Sequence, residues 1–166
     1  MTLKTIIYAG IAADLSVAID KGTRRHRLDK EADILLATGT GASQADQMFT
    51  DTRTLGGSAN EDLDLAASLV DALGQTLTFV KIKAILIIAA AANVGDIQVK
   101  PAAANGFLGP FANASDRLDV PAGGRILLTA PVTGWTVTAG TGDLLNIANS
   151  AAGNAIYDII LIGTSA

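Results

Sequence analysis

The chain has 166 residues, a formal net charge of −4, and 49% hydrophobic residues. This apolar content excludes an intrinsically disordered chain, and the length suits one domain with a real core. The sequence contains no cysteine, which excludes disulfides and thiolate metal sites.

No membrane partner is predicted. The longest apolar run, residues 84–92, is far shorter than the roughly 20 residues of a membrane-spanning helix, so it is interpreted as a buried strand. Asp14 and Asp20 interrupt the apolar pattern near the N-terminus, so no secretory leader is expected either.

Residues 1–53 are predicted to form an N-terminal arm, or extension, that differs in composition from the rest. Lys and Arg balance Asp and Glu in this segment, whereas residues 54–166 carry the whole net charge. Residues 15–19 alternate apolar and small or polar side chains, as a strand does. Residues 29–37 fit either a helix or a strand, and residues 39–46 a loop or one helical turn. The arm is expected to pack partly on another subunit.

A basic stretch in this arm supplies the first candidate partner contacts. It contains the only histidine, so any Ser–His–Asp site would have to use it, and a solvated or interface role is favoured instead. Neighbouring carboxylates neutralise the stretch and no aromatic residue is interleaved with it, so nucleic acid is not an expected partner. A solvated face is favoured, with docking on an acidic partner as the alternative. The candidate residues are Arg24, Arg25, His26 and Arg27.

From residue 54 the sequence predicts a β-sandwich domain over 54–166. Residues 61–65 alternate, which places Leu63 and Leu65 inward. Residues 76–89 are predicted as one long strand, covered on both faces beyond Lys83. One face of that strand is expected to hold Val80, Ile82, Ala84, Leu86 and Ile88, and the other Lys81 and Lys83.

The loop at 103–111 supplies the second set of candidate contacts. Asn105 and Gly106 form a strong turn dipeptide, so the segment is expected at the surface. Its apolar side chains are therefore predicted to be exposed and available to a partner. They are Phe107, Leu108 and Phe111.

Strands and turns alternate through residues 117–166. The strand-like runs are 125–129, 135–139, 144–147 and 155–162, and the last is predicted to be central in its sheet because it is apolar on both faces. About eight strands are expected in 54–166. The fold class is therefore all-β, a jelly-roll-like antiparallel β-sandwich of two four-stranded sheets with an N-terminal extension.

No pattern in the sequence predicts catalysis, so neither an enzyme nor a cofactor is expected. Asp62 and Asp64 alternate with leucines, as on a solvated strand face. The glycine-rich segments 39–41 and 140–143 lack the Lys-Ser/Thr ending of a phosphate-binding loop. No metal site is predicted, although a calcium ion at Asp96 and Asp143 is left open.

Seven segments, in their order along the chain, resemble a family of small structural proteins of tailed-bacteriophage virions. The resemblance covers roughly residues 39–166. The segments are GTGASQAD (39–46), DTRTL (51–55), EDLDL (61–65), PAGG (121–124), LTAP (128–131), TAGTGDLL (138–145) and YDIILIG (157–163).

This resemblance implies a capsid decoration, or cement, protein that binds the outside of an HK97-type icosahedral shell at capsomer junctions. The implied partners are the major capsid protein and other copies of the chain, as a homotrimer. The implied location is the capsid surface of the virion, after assembly in the host cytoplasm. The resemblance brings no catalytic residue. A tail, baseplate or fibre component is one alternative, and a carbohydrate-binding β-sandwich module is the other.

Overall fold

The regular secondary structure of the chain is β-strand, and turns and loops connect the strands. A computed structural model describes residues 2–166, and this part of the chain contains fourteen strands and no helix. In chain order the strands are β1 (Thr5–Ile7), β2 (Gly10–Ile19), β3 (Gly22–Glu31), β4 (Ile34–Thr38), β5 (Gln44–Ala45), β6 (Gln47–Leu55), β7 (Asn60–Asp64), β8 (Lys81–Ala89), β9 (Ile97–Pro101), β10 (Leu118–Val120), β11 (Arg125–Thr129), β12 (Trp135–Thr136), β13 (Leu144–Asn149) and β14 (Ala155–Thr164).

Two antiparallel sheets form a sandwich. Sheet I has the order β11-β8-β14-β6, with the short β12 also paired to β8. Sheet II has the order β10-β9-β13-β7. The chain passes repeatedly between the sheets: β6 is followed by β7 across the sandwich, then by β8 back in sheet I, and later β13 is followed by β14 in the same way. This double Greek-key connectivity is a jelly roll, which confirms the predicted fold class.

The strand count also agrees with the sequence. Eight strands, β7 to β14, begin after residue 54, as predicted. The division between sheets is five and four because sheet I also contains β6, which pairs with β14 along its whole length. The predicted boundary between residues 53 and 54 falls inside β6, so it does not lie in a linker.

The main core lies between the two sheets. Every second residue of β14 is inaccessible from Ala155 to Leu161, and these side chains meet Leu63 and Leu65, which point inward as expected. Burying a Leu, Ile or Phe side chain stabilises a fold by about 1.5–3 kcal/mol, so this layer dominates the stability of the domain.

A third layer covers the outer face of sheet I. Strand β4 pairs antiparallel with β1 and parallel with β5. Leu36 and Ala45 of this small sheet pack with Ala84 and Ile162 of sheet I in a second apolar cluster. Sheet I is therefore buried on both faces here, which confirms the interpretation of the long apolar run.

A β-bulge in β8 changes which residues face the core. Ile162 lies opposite Ala84, while the next residue, Gly163, lies opposite Ile82, so Lys83 is an extra residue. Ile82 consequently faces the same core cluster as Ile85. The predicted single face from residue 80 to 88 is wrong for this reason. The observed strand is also shorter than the predicted 76–89, because β8 begins at Lys81.

The bulge buries the lysine that the sequence placed on an open face. Lys83 is 1% exposed, and its Nζ donates to the carbonyl oxygens of Val132 (2.8 Å) and Gly41 (3.4 Å). Burial lowers the pKa of the Lys83 ammonium group, with the nearby charge of Lys81 as a smaller cause. The side chain ties two surface loops to β8, an interior strand of sheet I.

Candidate functional site

The most prominent surface feature is a long β-hairpin formed by β2 and β3. The two strands pair from Gly10 opposite Glu31 to Ile19 opposite Gly22, around a two-residue turn. Every residue of both strands is exposed. Ten residues at about 3.4 Å each give the hairpin a length of roughly 34 Å. Isolated two-stranded hairpins are at best marginally stable in water, so this element is suited to a partner.

The register gives the hairpin two different faces. Residues directly opposite each other share a face, so Leu15 lies beside His26 and Val17 beside Arg24. We call this side the apolar–basic face. It consists of Ile11, Ala13, Leu15, Val17 and Ile19 from β2 and Arg24, His26, Leu28 and Lys30 from β3.

The opposite side of the hairpin carries charges of both signs. Arg25 and Asp14 form a two-point ion pair, with Nε–Oδ1 at 3.0 Å and an N–O distance of 2.7 Å. Arg27 lies directly opposite Asp14 on the same side. The four basic candidates therefore do not form one cluster: Arg24 and His26 point to the apolar–basic face, and Arg25 and Arg27 point away from it.

Excision of the hairpin is expected to leave the rest of the fold intact. Its base is closed by a hydrogen bond from the Ala32 amide to the Ala9 carbonyl (2.7 Å), so two glycines can replace residues 10–31. Because none of its side chains enters either apolar cluster, we expect the free energy of unfolding, measured at dilutions at which the chain is monomeric, to change by less than about 0.5 kcal/mol. Chemical denaturation of both proteins measures this. A loss of several kcal/mol would show that the hairpin is part of the folded body.

The loop at 103–111 differs from the prediction. Phe107 is completely buried in the main core, and its amide donates to the carbonyl of Leu144 (2.8 Å). Phe111 is partly buried against the same core, and only Leu108, at 47% exposure, remains open. The reason is the turn at Asn105, whose positive φ of 53° folds the following residues back beneath the loop.

A charged cluster joins the two sheets along one edge. Arg53 of β6 donates to Glu61 of β7 through Nε (2.8 Å) and a terminal nitrogen (2.5 Å). The Tyr157 hydroxyl of β14 donates to the other oxygen of Glu61 (2.8 Å), and Asp51 pairs with Arg53 at 2.7 Å. The Glu61 hydrogen bonds raise the pKa of Arg53, and burial raises that of Tyr157, with Glu61 as the second cause. These four side chains hydrogen-bond to one another, as expected for a cluster that holds the two sheets together.

Tyr157 is expected to make stability fall in alkaline solution. Its pKa in the folded protein is raised, so above the usual tyrosine pKa of about 10 the unfolded chain releases a proton that the folded chain keeps. The unfolded state is then favoured as pH rises. Urea denaturation at pH 8 to 11 should show a steeper loss for the natural protein than for Tyr157→Phe. Parallel curves would contradict the assignment.

A polar depression of about 460 Å³ lies on the outer face of sheet II. Asn146 sits at its floor and donates from Nδ2 to Asn60 Oδ1 (2.9 Å) and Asp62 Oδ1 (2.6 Å). Lys100 and Arg117 contribute to its wall. Mixed amide, carboxylate and cationic groups of this kind suit a polar ligand such as a polyol.

The two aspartates considered for calcium are held differently. Asp143 Oδ2 accepts from the Gly140 amide within a turn (2.5 Å), whereas Asp96 is held through its backbone carbonyl, which accepts from the Ser150 amide (3.1 Å). Within residues 2–166 no three His, Asp or Glu side chains gather closely enough to hold a metal ion. The same residues include no helix with the length and hydropathy needed to cross a membrane.

The structural likeness found among known proteins is weak. No protein-family model and no curated protein matches the sequence. Among solved structures, the Yersinia pseudotuberculosis-derived mitogen is similar at a TM-score of 0.37 and 13% identity, over 72% of this chain and 88% of the mitogen chain. A likeness at this level carries no conclusion about function.

Proposed function

We propose that this protein is a non-catalytic structural subunit of a tailed-bacteriophage virion, a decoration protein that binds the outside of an HK97-type capsid at capsomer junctions. The observation that carries the proposal is the fully exposed hairpin at Gly10–Ile19 and Gly22–Glu31. A two-stranded hairpin of this length has no core of its own, so it is suited to binding a partner.

The jelly roll suits the body of such a clamp. Sheet I is buried on both faces where the small sheet of β1, β4 and β5 packs on it, so the sandwich is a firm platform from which the hairpin projects. The net charge of −4 favours solubility before assembly. A homotrimer at a three-fold position would present several equal contacts, and multivalency turns modest contacts into lasting attachment. The order of the phage-like segments supports the same setting.

Binding to capsids tests the proposal. Purified protein is mixed with undecorated capsids and sedimented, with the hairpin-excised protein as the matched variant. We expect the natural protein to sediment with the capsids and to raise their disruption temperature, and the excised protein to stay in solution. Binding to tail tubes and not to capsids would overturn the capsid assignment and favour the tail, baseplate or fibre alternative.

A carbohydrate-binding module is a second candidate, favoured by the polar depression around Asn146 and Asp62. A glycan array distinguishes it from the first. Binding to a glycan that is lost in Asp62→Ala but kept after excision of the hairpin would support this candidate, and an array without any bound glycan would remove it.

A further inference from the structure

The folded body carries a groove whose chemistry complements the hairpin. Its volume is about 410 Å³, and its apolar lining comes from Leu3, Met48, Leu73 and Leu77. Leu73 is 71% exposed and Met48 is 41% exposed, so the groove leaves large apolar surface open to solvent. Two carboxylates, Asp46 and Asp71, also line it.

Both carboxylates are held in place and keep capacity for a cation. Asp46 accepts from the Ser165 amide (2.9 Å) and hydroxyl (2.5 Å). One oxygen of Asp71 accepts from the amides of Leu73 (2.9 Å) and Gln75 (2.8 Å). Since an ionised carboxylate offers about four lone-pair sites, each retains room for an arginine or lysine.

Charge is distributed between the hairpin and the body in a complementary way. Residues 10–31 hold five Lys or Arg against four Asp or Glu, and the rest of the chain holds seven against twelve. Arg24, His26 and Lys30 all lie on the apolar–basic face. That face therefore combines apolar side chains with basic ones, whereas the groove combines apolar side chains with acidic ones.

The hairpin and the groove lie at different ends of β1. Leu3 lines the groove and is fixed by the Thr38 hydroxyl, which donates to its carbonyl (2.5 Å). The hairpin begins at Gly10, beyond the Ile7 end of the strand, and none of its residues lines the groove. Each copy thus carries a donor element, the hairpin, and a separate acceptor, the groove.

We propose that the apolar–basic face of the hairpin docks in the groove of a second copy of this chain. Leu15, Val17 and Ile19 cover Met48 and Leu73 of the neighbour, and Arg24 lies beside its Asp71. Such a contact joins two different surfaces of the chain, so successive copies form a ring where the rotation between neighbours closes and a filament where it does not. This inference goes beyond the proposed function, because it concerns contacts between copies and holds whatever the assembly binds.

Light scattering on the purified full chain tests the oligomer. We expect the natural protein to have a mass of several chains, and Leu15→Ser/Val17→Ser to fall to the 16.9 kDa of one chain. Leu73→Ser should have the same effect from the acceptor side. The control is Ala12→Ser/Ala18→Ser, on the opposite face of the hairpin, which should keep the oligomer.

Engineered cysteines test the contact directly, because the natural chain has none. Under mild oxidation, Val17→Cys/Leu73→Cys should give covalent oligomers on a denaturing gel. Ser16→Cys/Leu73→Cys should give at least tenfold less, since Ser16 points the other way.

Three outcomes would overturn the proposal: a monomeric natural protein, an oligomer that survives Leu15→Ser/Val17→Ser, or equal cross-linking of the two cysteine pairs. A monomer that still binds capsids through the hairpin would sink this inference and leave the proposed function standing. An oligomer that depends on the hairpin but does not bind capsids would support this inference and contradict the proposed function.

Discussion

Phe107→Ala is expected to lower the free energy of unfolding by about 3–5 kcal/mol, the usual cost of removing a buried aromatic ring. Phe107 has no exposed surface and packs in the main core between the sheets. The loop above it cannot easily collapse into the space left behind, because the Phe107 amide and the neighbouring turn are fixed by hydrogen bonds to and from residues 144 and 105. Urea denaturation measures the loss.

The adjacent residue provides the matched control. Leu108 is 47% exposed, so Leu108→Ala should change the free energy of unfolding by no more than about 0.5 kcal/mol. If the two variants were equally stable and both lost binding to a partner, Phe107 would belong to an interface, as the sequence alone suggested. A large difference between them places it in the core.

Glu61→Ala is expected to cost about 2–3 kcal/mol, because hydrogen bonds to charged groups are worth more than neutral ones. The substitution removes both hydrogen bonds from Arg53 and leaves the hydroxyl of the fully buried Tyr157 without its acceptor. The Glu61 side chain is 22% exposed and that of Arg53 is 31% exposed. Partial access to water keeps the effect below that of a wholly buried ion pair.

Asp51→Ala is the comparison variant for this cluster. Asp51 pairs with the same arginine but its side chain is 43% exposed, so the loss should stay under about 1 kcal/mol. A double-mutant cycle of Glu61→Ala with Tyr157→Phe should give a coupling of at least about 0.5 kcal/mol, as for residues in one hydrogen-bond network. Additive effects would mean that the two sheets are not joined through this contact.

The sequence predicted the elements that have a clear local apolar pattern. Residues 61–65 alternate with a period of two, and residues 155–162 are apolar on both faces except at Asp158. The structure places Leu63, Leu65 and every second residue of β14 from Ala155 to Leu161 in the core. Turns rich in Gly and Pro separated most of the later strands correctly. Both signals are local, so a single sequence carries them.

The features that the sequence did not predict depend on pairing between distant segments. The bulge at Lys83 arises from the register against Ile162 and Gly163, and an added Cβ at Gly163 would collide with the Lys81 carbonyl and the Phe79 ring. Burial of Phe107 depends on a turn that folds back under its own loop. Neither the bulge nor the burial of Phe107 can be recognised from the local order of apolar and polar residues.

The sequence predicted only part of the arrangement of the basic candidate contacts. The basic residues 24–27 were identified, but their division between two faces follows from the pairing of Val17 with Arg24 and Leu15 with His26. A strand as polar as β3 gives no hydrophobic alternation of its own to reveal this. The signal that could have predicted the two faces was the alternation of apolar residues in the partner strand β2.

Strand β14 lies at the centre of sheet I, between β8 and β6, although it follows both by a long stretch of chain. Pairings between such distant segments are slow to form, since the intervening chain must first be brought together. While a ribosome has yet to add residues 155–164, β6 and β8 have no common neighbour and their edges stay open. The sandwich can therefore close only after residues 155–164 have been made, and the rate of that closure sets how long each new chain is at risk of aggregating.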